Sequence, residues 1–132
     1  MINAFYFYRK DIGDGLKYLG VLTRVGESDY TFTYCDDPVL LVGKPKLPHR
    51  ETPCTTEEVR YSIVDALAPP YGVPEFEELH RIWCEQDGVP IGTGQWELLV
   101  AHYNYLASVF KDRRCPLVAF NGNIEIYDRR IL

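Results

Sequence analysis

KYLGVLTRVGESDYTFTYCDD, residues 17–37, reads as two strands around a tight turn. In its second half Tyr30, Phe32 and Tyr34 fall on one face and Thr31 and Thr33 on the other, because successive strand residues point to opposite sides. The intervening GESD (26–29) has the small and acidic residues of a turn. Upstream, INAFYFYR (2–9) alternates in the same way with aromatics, and DIGDG (11–15) is a second turn cluster. Three strands joined by short turns make an antiparallel meander with one wet side.

Beyond residue 37 the pattern changes. DDPVLLVGKPKLPHRETPC (36–54) holds Pro38, Pro45, Pro48 and Pro53, which exclude a long helix. VLLV (39–42) reads as a short strand or a buried crossing. TTEEVRYSIVDAL (55–67) opens with Thr55 and Glu58 in capping-box spacing, then places Val59, Ile63, Ala66 and Leu67 on one helical stripe. Pro69 and Pro70 stop it. PEFEELHRIWCEQDG (74–88) is a second helix. Pro74 and three glutamates lie in its first turn, Gly88 at its exit, and Phe76, Leu79, Ile82 and Trp83 form its apolar face. TGQWELLVAHYNYLASVFKDR (93–113) is the longest. It is capped by Thr93, with Trp96, Leu99, Val100, Tyr103, Ala107 and Phe110 at core spacing. Asn121-Gly122 between two alternating runs predicts a β-hairpin over 115–128. The expected fold is α+β: an N-terminal three-stranded antiparallel meander, about three helices, and a C-terminal β-hairpin that joins or extends the sheet. No repeat or linker divides it, so a single domain spans 1–132.

Composition narrows the function. A chain of 132 residues buries roughly two thirds of its unfolded surface and folds without a metal or disulfide. Its net charge of −5 argues against a nucleic-acid backbone as partner. No run approaches the roughly 20 apolar residues that span a bilayer, and residues 1–10 lack a signal-peptide pattern. Cys35, Cys54, Cys84 and Cys115 are widely spaced with no C-x-x-C, so zinc is not expected and a cytoplasmic protein with reduced thiols is. Ten tyrosines against six phenylalanines suit a half-wet sheet or a binding face.

Chemistry is hard to find. Gly88, Gly92 and Gly94 lack phosphate-loop spacing, and no kinase signature is present. His49, His80 and His102 are scattered, and a His102–Cys115 pair is neither forbidden nor supported by their separation. The acidic EFEEL (75–79) is explained by the helix dipole. No catalytic, cofactor or metal residue is assigned. APPYGVP (68–74) is different: Pro69 and Pro70 stiffen a loop in which Tyr71 is either a preorganised anchor or folds back over the nearest helix. Tyr71, flanked by Pro69 and Pro70, together with Tyr30 and Tyr34 of the aromatic strand, makes the expected interaction set.

YLGVLTRVGESDYTFTY (18–34) resembles the start of the HipA-type toxin kinases, through Gly20, Leu22 and Thr23, then Phe32 and Tyr34. SIVDALAPP (62–70), with Leu67 and Pro69, is similar to that family's helix ending in a Leu-Leu-Pro turn. WELL (96–99) and PLVAF (116–120) follow in the family's order. The resemblance implies a free-standing N-terminal subdomain, like the small subunit that accompanies and restrains the kinase in split systems. It implies a protein partner, no cofactor and no catalytic residue of its own. Two other readings stand beside it: a phage-type inhibitor of a bacterial defence complex, and a small enzyme with a Cys or His nucleophile, for which the reactivity of Cys115 or Cys84 is the sign.

Overall fold

The computed structural model describes residues 1–43, 47–48, 53–110 and 117–132. The meander is β1 (Ala4–Arg9), β2 (Lys17–Arg24) and β3 (Tyr30–Tyr34). The hairpin is β4 (Leu117–Ala119) and β5 (Ile124–Tyr127). They form one sheet, in the order β3-β2-β1-β5-β4, antiparallel at every pairing. The hairpin closes onto the free edge of β1, with Tyr6 opposite Tyr127 and Arg9 opposite Ile124. Its turn places Asn121 (φ 60°) and Gly122 (φ 83°) in the left-handed region, and the Asn123 N–H donates to the Phe120 carbonyl at 3.1 Å. Those positive φ values are what an Asn-Gly hairpin requires.

The alternation in the sequence sets the two faces. Phe5 and Phe7 of β1, Phe32 of β3, and Ile124 and Ile126 of β5 are fully buried toward the helices. Along β2 the register slips between Phe7↔Gly20 and Tyr8↔Tyr18, a bulge that leaves Leu19 without a partner on β1. Leu19, Gly20 and Leu22 are all buried as a result. On the opposite face Tyr8 and Tyr127 form a second buried cluster with Tyr6, Tyr18, Leu16 and Ile131 around them.

The described residues form four helices. The first is α1 (Pro38–Leu41), where a strand or a crossing was expected. Pro38 sits at a first-turn position and the Asp37 carboxylate accepts from the Val39 N–H at 3.0 Å, so the local sequence starts a helical turn. The second, α2, is one helical run over 56–67: α-helical at Thr56–Val59, π-helical at Arg60–Val64 and α-helical at Asp65–Leu67. Its N-cap is in place, with Glu58 N–H to Thr55 Oγ1 at 3.3 Å, and the two side chains pair directly, Thr55 Oγ1–H to Glu58 Oε1 at 3.0 Å. The wider π turn shifts the stripe: Ile63 and Val64 are buried while Ala66 is exposed. The third is α3 (Pro74–Asp87) and the fourth α4 (Gln95–Val109). Gly94, not Thr93, precedes α4, because the Thr93 hydroxyl donates to the Pro90 carbonyl instead. Trp96, Leu99 and Tyr103 of α4 enter the core as expected. Ala107 and Phe110 do not: both are exposed.

Candidate functional site

The loop 68–73 and helix α3 carry the surface most suited to a partner. Pro69 and Pro70 are buried, and Ala68 is fully so. They pin the loop to the core, and the chain then turns outward at Tyr71, which is 51% exposed, and at Gly72 (φ 89°). The Tyr71 ring lies against the buried His80, 5.2 Å between centroids, beside Gly92 of the α3–α4 loop.

His80 explains how α3 is turned. Its Nε2–H donates to the Thr93 carbonyl at 2.9 Å, which leaves Nδ1 to accept from the Cys84 thiol at 3.5 Å. His80 and Cys84, one turn apart, are the buried residues of α3. Their polar atoms are paired, so burial is tolerated. The expected face of Phe76, Leu79, Ile82 and Trp83 is therefore corrected. Leu79 and Ile82 are 42% and 43% exposed, and Phe76 and Trp83 are half-buried. Glu78, Arg81 and Glu85 run beside them as an ion-pair ladder, Arg81 Nη1 to Glu85 Oε1 at 2.7 Å. An apolar centre with a charged rim has the anatomy of a protein interface. Ile91, 53% exposed, follows in the α3–α4 loop.

The other expected interaction residues lie elsewhere. Tyr30 and Tyr34 belong to the core: the Tyr30 ring is 5.8 Å from Trp96, and the Tyr34 hydroxyl donates to the Pro48 carbonyl at 2.7 Å. Burial pushes both phenols up from their ordinary value. The expected exposed sheet face with these two rings is thus corrected, since α2 and α4 cover it. Of the five expected residues, Tyr71 alone reaches solvent. Leu79 and Ile82 were read as core from helical spacing. The clue against that reading was Cys84, a residue type among the most buried, on the opposite side of the same helix.

The histidine and thiol chemistry is also defined. The Cys84 thiol is pushed up by burial, an effect larger than the opposing donation from the Gly92 and Thr93 backbone. Cys35 and Cys84 are free thiols, Cys54 is buried, and Cys115 lies outside the described residues. Among the described residues no cluster of three His, Cys, Asp or Glu side chains could hold a metal, and no helix is long and apolar enough to cross a membrane. His102 stacks on Trp83, 4.4 Å between centroids, and its Nδ1 meets Asp87 Oδ1 at 3.3 Å. Comparison of the chain with protein-family models, with curated proteins and with solved structures finds no match.

Proposed function

We propose that this chain is a non-enzymatic protein-binding module that docks through Tyr71, Leu79 and Ile82. The partner is a kinase-like toxin chain of the HipA type, which this module binds and restrains in the cytoplasm. The observation that carries the reading is the outward stripe of α3, where two aliphatic side chains three residues apart share one exposed face, with a half-exposed tyrosine in the loop before the helix. The sequence resemblance at Gly20, Leu22, Thr23, Phe32 and Tyr34 supplies the partner's class. Preorganisation favours docking: buried Pro69 and Pro70 fix the base of the Tyr71 loop, so little entropy is lost when the ring is covered. A stable interface covers roughly 1,200–2,000 Å² in total, so residues around these three take part as well.

Co-expression with a HipA-type kinase chain tests the proposal. The two chains are expected to purify together, and the kinase to become less toxic. Leu79→Asp with Ile82→Asp is expected to weaken the complex at least about 100-fold while leaving the fold intact, since both side chains are already in solvent. Unchanged binding by the double variant, or no complex with wild type, would remove the proposal.

A further inference from the structure

Asp87 is an anomaly. It ends α3, where the helix dipole disfavours a negative charge, and its side chain has no exposed surface. One carboxylate oxygen faces His102 Nδ1, and the other, Oδ2, is the one buried side-chain N or O atom with no hydrogen-bond partner among the described residues. A buried, half-satisfied carboxylate is costly unless it serves something. What it holds is the imidazole of His102, the arrangement by which a carboxylate fixes the tautomer and orientation of a histidine.

With Nδ1 committed to Asp87, Nε2 is the ring atom left over, and it makes no hydrogen bond among the described residues. His102 also lines a half-open cavity of about 250 Å³ between α2, α4 and the C-terminal hairpin. The other walls include Leu67, Trp83, Leu117 and Phe120, and the Trp83 ring stacks on the imidazole at an interplanar angle of 13°. Among the side chains that line it, those of His102 and Trp83 alone carry polar atoms. A dry apolar cavity of about 150 Å³ accommodates benzene, so this one holds a single aromatic ring with a substituent.

We propose that this cavity is a binding site for small aromatic alcohols of the phenol class. The ring packs against the Leu67, Leu117 and Phe120 walls, and its hydroxyl donates to His102 Nε2. Asp87 is a positioning residue for that nitrogen. The site is separate from the Tyr71–Leu79–Ile82 face and independent of the partner proposed for it.

The test uses the full chain, with the His102 side-chain nitrogens and the Trp83 indole followed by NMR. Wild type is titrated with 4-methylphenol and, separately, with toluene, which has the same ring and methyl group but no hydroxyl. Saturable binding of 4-methylphenol with a shift of the Nε2 resonance is expected, and toluene is expected to bind about tenfold more weakly, the worth of one hydrogen bond. His102→Asn keeps a donor near the Nδ1 position and removes Nε2; it should lower 4-methylphenol affinity to the toluene level. Ala66→Phe, at the exposed rim, should block both ligands while leaving Asp87 and His102 unsubstituted. No saturable binding to wild type, equal affinity for the two ligands, or undiminished binding by Ala66→Phe would each overturn the proposal. Asp87 and His102 would then simply tie α3 to α4. Should His102→Asn not fold, the comparison of the two ligands on wild type still decides.

Discussion

Arg9 shows how much one residue organises. At the end of β1 it is 2% exposed. Its guanidinium donates to the Leu40 and Val42 carbonyls, each at 2.8 Å, and to the two Asp11 oxygens at 2.9 and 2.8 Å. Only the planar arginine fork reaches several acceptors at once, and here it ties the end of α1 to the sheet. Arg9→Met is expected to cost about 3 kcal/mol in urea unfolding, because it strands the buried Leu40 carbonyl and loses the part-buried bond to Val42. Asp11→Asn should cost less than about 1 kcal/mol, since that carboxylate is partly solvated. The hydrogen bond from Arg9 holds the Asp11 carboxyl below its ordinary value. The folded state therefore favours the ionised form, and the contribution is present at neutral pH. The stability gap between wild type and Asp11→Asn should shrink as pH falls below about 4. Gly20 is constrained by space instead. A Cβ there would lie 2.6 Å from the Thr33 carbonyl oxygen and 2.7 Å from the Phe32 ring. Gly20→Ala is expected to cost about 2 kcal/mol by the same assay, through displaced packing.

At the scale of elements, α3 carries the sharpest expectation. Cys84 is fully buried between His80 and the α3–α4 loop, whereas Cys35 is half-buried after β3. Iodoacetamide on the native chain, read by mass spectrometry, should label Cys35 well before Cys84. Cys84 should react only as fast as the region opens. Rapid labelling of Cys84 would revive the reading of a thiol enzyme. This helix also shows where the sequence stops being legible. Strands β1 and β3 and the Asn121-Gly122 turn could be read because alternation and left-handed φ are local demands. The Thr55–Glu58 cap could be read for the same reason. The buried side of α3 could not: what makes His80 acceptable inside is the Thr93 carbonyl, thirteen residues away in a loop. Four-residue α1 is too short for any period to show, and its partner Arg9 lies far upstream. Tyr71 was legible as a loop aromatic without helical duty. Leu79 and Ile82 looked like core because spacing identifies a stripe but not which way it points.

The whole molecule is organised by the sheet, which separates two packed layers. On the helix side Phe7 meets Phe32 edge-on at 5.1 Å, within the main core. On the other side Tyr8 meets Tyr127 edge-on at 5.4 Å, and residues after β5 close over that layer. There the Tyr8 hydroxyl accepts from the Ile131 N–H at 2.8 Å, and the Arg130 guanidinium lies 3.6 Å from the centre of the Tyr18 ring. If the sheet is a partition, substitutions should couple within a layer and add across it. Tyr8→Leu and Tyr127→Leu remove the two halves of one aromatic pair. Their double-mutant cycle in urea unfolding is expected to show about 1 kcal/mol of coupling. The lost hydroxyl bonds cancel in such a cycle, because each is removed once in a single variant and once in the double. Phe32→Leu with Tyr127→Leu is the contrast. These residues sit on β3 and β5, on opposite faces, with β2 and β1 between them. Three strand spacings of about 4.8 Å separate them by roughly 14 Å, beyond the range of direct coupling. Additivity within about 0.5 kcal/mol is expected for that pair. Coupling as large as that of Tyr8 with Tyr127 would mean that the layers share one cooperative rearrangement. The tyrosine layer would then be an extension of the core rather than a separate cover on the back of the sheet.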